Sequence, residues 1–332
     1  MAENTTQPES HDVVMIGAGP TSLAASIYTT REDIDTVLYE KGVIGGLAAV
    51  TDWVDNYPGF VDGVEGLKLA EQLQGQAERF GAQIRFGEVT GISDHGAYKT
   101  VETTDGPIRA KAVLIATGSD YQKLGIPGEA EYYGRGVHYC ATCDGAFYRD
   151  KRLVVVGGGN SAIQEAMFLT RYATHIDLLV RSKIRASEVL QHDLQKYVDE
   201  GKITVHLGTT TDEILADDNG VNKVVGTHDG QKVEFETDGI FIFVGLKPNT
   251  GFLGGSVELD EIGLIKTDGE LQTNIPGVYA AGDVRSGATM QVASAVGEGA
   301  TAALNIRKYL EELEREETNA TASAALAQPQ TS

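Results

Sequence analysis

The sequence predicts an α/β fold built around two Rossmann-like dinucleotide-binding units. Two stretches of the chain follow the same order, an apolar strand, a glycine turn, a helix and a second strand. The first stretch begins near Asp12 and the second near Lys151. The 332 residues are enough for two or three domains, each with its own core. One glycine-rich match is a weak signal, but two matches in the same strand-to-helix setting are seldom due to chance.

The first unit is typical of a site for an adenine dinucleotide with a free ribose. Its glycine turn, Gly17-Ala18-Gly19-Pro20, follows an apolar strand and opens a helix that runs to about Thr30. The first glycine permits the tight turn, the second lets the backbone approach a pyrophosphate, and the helix N-terminus offers unpaired N–H groups. Glu40 stands at the end of the next strand, where it can accept hydrogen bonds from the ribose. This unit is therefore predicted to bind FAD or NAD.

The second unit differs from the first where the sugar would bind. The position equivalent to Glu40 is Val180, and it is followed by the cations Arg181, Lys183 and Arg185. Cations in this place suit the 2′-phosphate of NADPH, although a solvated loop would also account for them. The residues of the second turn that are expected to meet the cofactor are Gly157, Gly159, Asn160, Ser161 and Ala162.

Two cysteines, Cys140 and Cys143, stand at C-x-x-C spacing just before the second unit. A disulfide-stapled secreted framework is excluded by so few cysteines, and in an intracellular chain this spacing indicates a redox couple or half of a metal site. His138 could serve as a third metal ligand, and an inert pair of buried thiols is a further alternative. The chain has no second cysteine pair to complete a four-coordinate zinc site, so redox chemistry is favoured and no metal is expected.

Charge and hydropathy exclude several classes of partner. The formal net charge of −21 repels nucleic-acid backbones and anionic lipids, so no nucleic acid is expected as a partner. No apolar run is long enough to span a membrane, and the polar residues 1–10 lack a signal core, which favours a flexible N-terminus and a cytoplasmic protein. Acidity spread along the whole chain suggests a high-salt, halophilic cytoplasm, with an ordinary acidic protein as the alternative.

The remaining segments complete the predicted organisation. Short strands with turns are expected between the two units, over about residues 81–113, and again after the second unit, over about residues 204–245. An amphipathic helix is predicted from about Val292 to Leu313. The polar, alanine-rich residues 316–332 lack core residues and are expected to be disordered.

Three motifs together resemble the low-molecular-weight thioredoxin reductases of bacterial and archaeal type, which are class II pyridine nucleotide-disulfide oxidoreductases. They are Cys140-Ala141-Thr142-Cys143-Asp144 ahead of the second unit, Ala116-Thr117-Gly118 after the first set of short strands, and Gly277-Val278-Tyr279-Ala280-Ala281-Gly282-Asp283 near the end. The resemblance covers about residues 11 to 312. It implies two Rossmann-like dinucleotide-binding domains (three-layer ββα) with the second inserted in the first.

The resemblance also implies which segment does what. Residues 11–120 and 249–315 would form the FAD-binding domain, and residues 121–248 would bind NAD(P)H and carry the cysteines. By the same resemblance the protein would be a homodimer. The residues that would contact FAD are Gly17, Gly19, Pro20, Glu40, Gly46, Leu47, Asn56, Ala116, Thr117, Gly118, Gly282, Asp283 and Gln291, and those that would contact NADPH are the second-turn residues with Arg181 and Arg185.

This sequence departs from the family pattern at four places. The usual Gly-Gly-Gln-Leu beside the flavin is Gly45-Gly46-Leu47 here, without the Gln, and the usual Arg-Gln ahead of the last helix is Met290-Gln291. An Asp-Ser pair after the second glycine turn is replaced by Asn160-Ser161, and a pair of phosphate-binding arginines by Val180-Arg181.

The activity implied is that of a thioredoxin-disulfide reductase, in which NADPH reduces thioredoxin through FAD and the cysteine pair. Cys143 would face the flavin, Cys140 would attack the disulfide of the protein substrate, and Asp144 would supply a proton to the leaving thiolate or, alternatively, cap a helix. Other donors, NADH or reduced ferredoxin, and other disulfide partners are alternatives within the same chemistry. From different classes, a nucleotide-sensing protein with regulatory cysteines and a zinc-stabilised structural protein are also considered.

Overall fold

A computed structural model describes residues 9–51, 53–218 and 220–326. The chain divides into two compact units, Met1–Asp120 with Pro248–Ser332, and Tyr121–Lys247. The prediction of a flexible N-terminus falls largely on residues 1–8, which lie outside the described residues, as do residues 327–332 of the predicted tail. Ser10 and the carbonyl of Glu9 both pair with Arg109 in the sheet of the first unit, so ordered structure begins before residue 11.

The first segment of the first unit begins with a β-α-β motif and ends with a meander of strands. Its strands are β1 (Ser10–Ile16), β2 (Thr36–Glu40), β3 (Gln83–Phe86), β4 (Val89–Asp94), β5 (Lys99–Thr103) and β6 (Gly106–Ile115). Its helices are α1 (Pro20–Thr30), α2 (Gly46–Ala49) and α3 (Gly66–Arg79). A short strand, β7 (Ser119–Tyr121), then leads out of the unit.

The second unit repeats the motif and adds a hairpin sheet. Its strands are β8 (Val137–His138), β9 (Arg152–Val156), β10 (His175–Val180), β11 (Ile203–Leu207), β12 (Thr209–Asp217), β13 (Gly220–His228), β14 (Gln231–Glu236) and β15 (Gly239–Ile242). Its helices are α4 (Ala141–Asp144), a 3-10 turn (Gly145–Tyr148), α5 (Asn160–Leu169) and α6 (Glu188–Asp199).

The chain returns to the first unit through β16 (Leu246–Pro248), a 3-10 turn (Gly251–Leu253), β17 (Val278–Ala280) and α7 (Val292–Leu326). Helix α7 continues thirteen residues beyond Leu313, the end that the apolar pattern predicts, so residues 316–326 are helical where disorder is expected. Residues 314–326 contain no glycine or proline and are rich in alanine and glutamate, which favour helix without any contribution from a core.

The sheet of the first unit has the strand order β3-β2-β1-β6-β5-β4, with β17 paired to β6. Strand β1 runs parallel to both β2 and β6, so the carboxyl ends of all three strands lie at one edge. Val13, Val14 and Met15 are fully buried because helices cover one face of the sheet and the β4–β5 meander with the 251–284 segment covers the other. The glycine turn that follows β1 is therefore held at the edge where ligands of such sheets bind.

The sheet of the second unit has the parallel order β11-β10-β9-β15-β8. A separate antiparallel sheet, β12-β13-β14, packs on one of its faces. Strands β9 and β10 are buried on both faces, which explains why nearly all their residues are apolar, and the buried Asp177 of β10 pairs with His206 at 2.8 Å. Across the described ranges, no helix combines the length and the apolar character that a membrane span requires.

Candidate active site

The first glycine turn is shaped by a close approach of two backbone segments. Gly17 has a φ of +96°, and a Cβ there would come within 2.6 Å of the Ala116 carbonyl oxygen. A Cβ on Gly19 would meet nothing within 4 Å, so this glycine leaves room beside the start of α1. In the described part of the chain, no side chain caps the N-terminus of α1 and its first turn holds no acid. The turn thus offers free N–H groups and a positive helix end to a phosphate.

Glu40 is fixed beside this turn by two backbone hydrogen bonds. Its Oε2 accepts from the N–H of Ala18 and its Oε1 from the N–H of Gly42, both at 2.7 Å. Gly46 lies next to the same turn, since a Cβ on it would be 3.8 Å from the Gly19 Cα. The structure therefore brings Glu40, Gly46 and the glycine turn together, while the neighbouring Leu47 side chain is exposed.

The segments after β6 and β17 end at the same edge of the sheet. The N–H of Ala281 donates to the Ile115 carbonyl at 3.1 Å, which brings Gly282 beside the Ala116–Gly118 segment. A Cβ on Gly282 would collide with the Thr21 side chain in the first turn of α1. Thr117 exchanges two hydrogen bonds with Asn249, of 2.8 and 3.0 Å, and these hold the end of the 116–118 segment.

Asp283 is the carboxylic acid in this cluster whose pKa is shifted most. Its side chain is half-buried, and burial together with the nearby charge of Glu298 raises the pKa of Asp283 to about 6. A hydroxyl that donates a hydrogen bond to this carboxylate would offset part of the cost of its charge. The ribityl chain and phosphate ester of a flavin nucleotide are ligands of that kind.

An ion pair that sequence reasoning missed holds the Gly282 turn. Arg285 Nε donates to Glu298 Oε2 at 2.8 Å, and the same oxygen accepts the N–H of Gly282 at 2.8 Å. Both side chains are mostly buried, with 19% and 14% of their surfaces exposed. Glu298 lies in α7, outside the recognised motifs, and no local pattern marks it.

Asn56 and Gln291 meet although 235 residues separate them. The Asn56 side-chain amide donates to Gln291 Oε1 at 3.0 Å, and Gln291 donates to the Met290 carbonyl at 2.8 Å. Met290 has a φ of +57°, a left-handed conformation that a non-glycine residue rarely adopts. The two residues predicted to contact FAD from distant segments are thus joined to each other.

The second glycine turn is built like the first. Gly157 has a φ of +143°, and a Cβ there would lie 2.7 Å from the Cβ of the buried Ala162. Helix α5 starts at Asn160 without a side-chain cap or an acid in its first turn, as far as the described residues show. The Asn160 side-chain Oδ1 accepts the N–H of Ser187 at 2.9 Å, whereas the Ser161 side chain is exposed. The helix end remains open to an anion.

The cations of the second unit lie against this turn. A Cβ on Gly158 would be 2.8 Å from Val180 Cγ1, and Val180 is buried, so its position contributes no polar group to a sugar. The N–H of Arg185 donates to the Gly158 carbonyl at 2.6 Å, which fixes the backbone of the basic segment beside the phosphate-binding loop. The side chains of Arg181 and Arg185 are exposed.

Cys140 and Cys143 form a disulfide in the second unit, with their Cα atoms 5.3 Å apart. Cys140 stands at the N-cap of α4, and its Sγ accepts the N–H of Cys143 at 3.2 Å. The N–H of Asp144 donates to the Cys140 carbonyl at 3.2 Å. The C-x-x-C segment therefore forms a single helical turn, and the disulfide joins the two cysteines across that turn.

The Asp144 side chain is not a helix cap but pairs with His138. Its Oδ2 lies 3.2 Å from His138 Nδ1, and His138 Nε2 lies 2.6 Å from the Tyr148 hydroxyl. Burial, followed by the charges of Asp144 and Asp238, raises the pKa of Tyr148. Within the described ranges, no group of three or more His, Cys, Asp or Glu side chains is arranged to hold a metal ion.

Two glycine turns at open helix ends and a disulfide in one chain define the class of pyridine nucleotide-disulphide oxidoreductases, and the family model of that description matches residues 11–299. The chain belongs, within this class, to the low-molecular-weight thioredoxin reductase family. It is 43% identical to a thioredoxin reductase of Listeria innocua over 312 residues, 93% of this chain and 96% of the relative. It is 39% identical to the thioredoxin reductase of Bacillus subtilis, covering 93% of this chain and 98% of the relative.

The solved structures agree with this assignment. A crystal structure of thioredoxin reductase from Streptococcus pyogenes superposes with a TM-score of 0.86 at 38% identity, covering 92% of this chain and all of the other. The predicted α/β fold with two Rossmann-like domains is confirmed. The chain is accordingly a flavin-dependent disulfide oxidoreductase of the thioredoxin reductase type, with FAD and NADPH as its cofactors.

Proposed function

We propose that this chain reduces the disulfide of a thioredoxin with electrons from NADPH, using Cys140 and Cys143 as the redox pair. The observation that carries the proposal is the Cys140–Cys143 disulfide in the same compact unit as the second glycine turn. Residues 11–120 and 249–315 would hold FAD, and residues 121–248 would hold NADPH. The similarity to the Listeria and Bacillus proteins supports thioredoxin as the substrate, so another donor or disulfide partner is not favoured.

The residues of the first unit fit FAD. The open end of α1 would receive the pyrophosphate, Glu40 would accept hydrogen bonds from the adenosine ribose, and Asp283 would accept them from the ribityl chain. Asn56 and Gln291 would bind polar edges of the flavin, together with Gly46, Leu47 and the 116–118 segment. When bound, FAD supplies two-electron transfer between a nicotinamide and a disulfide.

The residues of the second unit fit NADPH. The open end of α5 would bind the pyrophosphate, with Asn160 and Ser161 at its first positions. Arg181 and Arg185 would pair with the 2′-phosphate, because guanidinium groups bind phosphate oxygens in a fixed geometry that NADH could not use. The buried Val180 leaves no carboxylate to repel that phosphate or to favour a free 2′-hydroxyl.

The dithiol formed from Cys140 and Cys143 would carry out two exchange steps. Cys140 attacks one sulfur of the partner disulfide, forming a mixed disulfide and releasing a partner thiolate that takes up a proton. Cys143 then attacks Cys140, which restores the ring and releases the second partner sulfur. Asp144, the residue that follows Cys143, would hold the proton that passes between the thiol groups during this exchange.

Three further properties belong to this proposal. The chain would act as a homodimer in the cytoplasm, as the family resemblance and the sequence suggest. The net charge of −21 supports a halophilic protein, since dense carboxylates repel one another until salt screens them within about 3 Å at molar concentration. Neither a nucleic acid nor a membrane is proposed as a partner.

Anaerobic mixing of the FAD-loaded protein with NADPH and with NADH tests the donor. Rapid loss of flavin absorbance with NADPH and slow loss with NADH is expected, followed by steady turnover when oxidised thioredoxin is added. Loss of absorbance with neither nucleotide would point to another donor, and absence of turnover with thioredoxin would remove the proposed substrate.

A further inference from the structure

His138 is a buried titratable residue beside the redox pair that the chemistry above does not use. It is 6% exposed and lies two residues before Cys140, at the end of β8. Its Nδ1 faces Asp144 Oδ2 at 3.2 Å and its Nε2 faces the Tyr148 hydroxyl at 2.6 Å. Both ring nitrogens therefore have a partner, and the three side chains form a continuous chain from Asp144 to Tyr148.

Aromatic packing fixes the orientation of this imidazole. Its ring stacks on Phe241 at a centroid distance of 5.1 Å and meets the edge of the Tyr148 ring at 5.3 Å. Phe241 is fully buried, and Tyr148 packs so closely over Gly239 that a Cβ there would lie 2.5 Å from the ring. Because the ring is held by its neighbours, it determines where the Asp144 carboxylate lies.

The charged and titratable groups around the imidazole come from two elements. Helix α4 contributes Asp144 and the 3-10 turn contributes Tyr148, whereas β15 packs the ring of Phe241 against the imidazole. Beyond Tyr148 stands Asp238, which pairs with Lys151 at 3.2 Å. Burial and the two carboxylates raise the pKa of Tyr148, so its hydroxyl stays protonated near neutral pH and serves as a neutral partner for Nε2.

We propose that His138 is a positioning residue that fixes the carboxylate of Asp144, the residue directly after Cys143, and shares the proton that Asp144 carries during thiol–disulfide exchange. The proposal rests on the proposed function and deepens it. The imidazole nitrogen that faces the Asp144 carboxylate gives the exchanged proton a second acceptor, which a carboxylate alone would lack.

The proton balance closes in each of the two exchange steps. When the Cys140 thiol attacks, a bond forms between its sulfur and one partner sulfur, and the partner's own S–S bond breaks. The thiol proton passes to Asp144 and on to His138 Nδ1, and the same path returns one proton to the leaving sulfur. The attack of Cys143 on the mixed disulfide repeats this transfer, so two protons move from the dithiol to the partner with the two electrons.

The variant His138→Gln tests the proposal, with His192→Gln as the matched control because His192 is an exposed histidine of the same unit. The assay compares kcat/KM for thioredoxin with NADPH-dependent reduction of a small quinone, which needs both nucleotides but not the cysteines. We expect His138→Gln to retain quinone reduction, to lose thioredoxin reduction by about tenfold or more, and to lose an ionisation from the profile between about pH 6 and about pH 9.

The variant Tyr148→Phe keeps both aromatic rings and removes one hydroxyl, so it remains informative if His138→Gln does not hold FAD. Tyr148→Phe should move the pH at which this ionisation affects thioredoxin reduction, without abolishing activity. A His138→Gln profile that superposes on the wild type, or a loss equal at every pH, overturns the proposal, as does an unshifted profile for Tyr148→Phe. If the wild type reduces the quinone but never thioredoxin, the proposed function itself fails and the role of His138 falls with it.

Discussion

The guanidinium group of Arg285 and the carboxylate of Glu298 form a two-point ion pair behind the Gly282–Asp283 turn, with Nε and Oε2 2.8 Å apart. Glu298 also accepts the Gly282 N–H, so one carboxylate on α7 fixes both the side chain and the backbone of this turn. Removing one member of a mostly buried pair leaves the other charge without a partner. The FAD site should therefore depend on Glu298, although the residue belongs to no nucleotide-binding motif.

The variant Glu298→Gln is expected to weaken FAD binding by about tenfold, because Gln can still accept from Gly282 but cannot neutralise Arg285. The measurement is the dissociation constant for FAD, from quenching of its fluorescence on titration with the FAD-free protein. Glu261→Gln, which alters an exposed carboxylate of the same unit, should leave the constant unchanged. Equal constants for both variants would contradict this role of Glu298.

The pH dependence of the FAD-free protein should report on Asp283. Since the folded-state pKa of Asp283 is raised to about 6, the charged form destabilises the fold, and stability falls as pH rises from about 4 through about 6. Asp283→Asn removes this loss, so the FAD-free variant should be about 3 kcal/mol more stable than the wild type at pH 7.5, and the difference should vanish near pH 3. Urea unfolding over a pH series measures it, and a difference independent of pH would contradict the account.

The nucleotide preference should depend on the exposed arginines beside the second glycine turn. The double variant Arg181→Ala, Arg185→Ala is expected to raise the KM for NADPH by about 10–100-fold and to leave the KM for NADH within about twofold, because only NADPH carries the 2′-phosphate. Steady-state rates with each nucleotide decide it. Lys232→Ala, in the β12–β14 sheet, is the control, and an equal loss with both nucleotides would assign the arginines a general electrostatic role.

Stability should rise with salt because the chain carries 48 acidic against 27 basic residues. We expect the unfolding temperature to increase by at least about 5 °C between 0.1 and 2 M KCl, as screening removes the repulsion among carboxylates. Sucrose of matched osmolality serves as the control, since it stabilises proteins by exclusion without screening charge. An unchanged unfolding temperature in KCl, or the same rise in sucrose, would remove the halophilic hypothesis.

The two nucleotide-binding motifs could be predicted from sequence because each is local. The turns after β1 and β9 contain their own glycines, strands and helices within about thirty residues, so periodicity and turn chemistry identify them. Strand β12 falls inside a region of predicted short strands, but no pattern singles it out, and helices α3 and α6 are not predicted. Thr209–Asp217 is largely polar and is held by pairing with β13 rather than by its own pattern, and α3 buries only a narrow stripe that includes Leu69 and Leu73.

The parts of the site that sequence did not predict are contacts between side chains of different elements. Glu298 reaches Gly282 only because α7 packs on α1, and nothing in the local sequence indicates that contact. The link from His138 to Tyr148 is similar, since His138 was considered only as a possible metal ligand. Its partners are set by the packing of β8 and the 3-10 turn against Phe241. Tertiary packing, not propensity, decides such contacts.

The most direct test of the account is the replacement of each cysteine of the redox pair by serine. Cys140→Ser and Cys143→Ser should each bind FAD and be reduced by NADPH at the wild-type rate, while thioredoxin reduction falls by at least about 10³-fold, because no intramolecular disulfide can form and be renewed. The rate of thioredoxin reduction by the two variants is the decisive measurement. Wild-type turnover by either variant would show that the electrons reach thioredoxin without the Cys140–Cys143 pair.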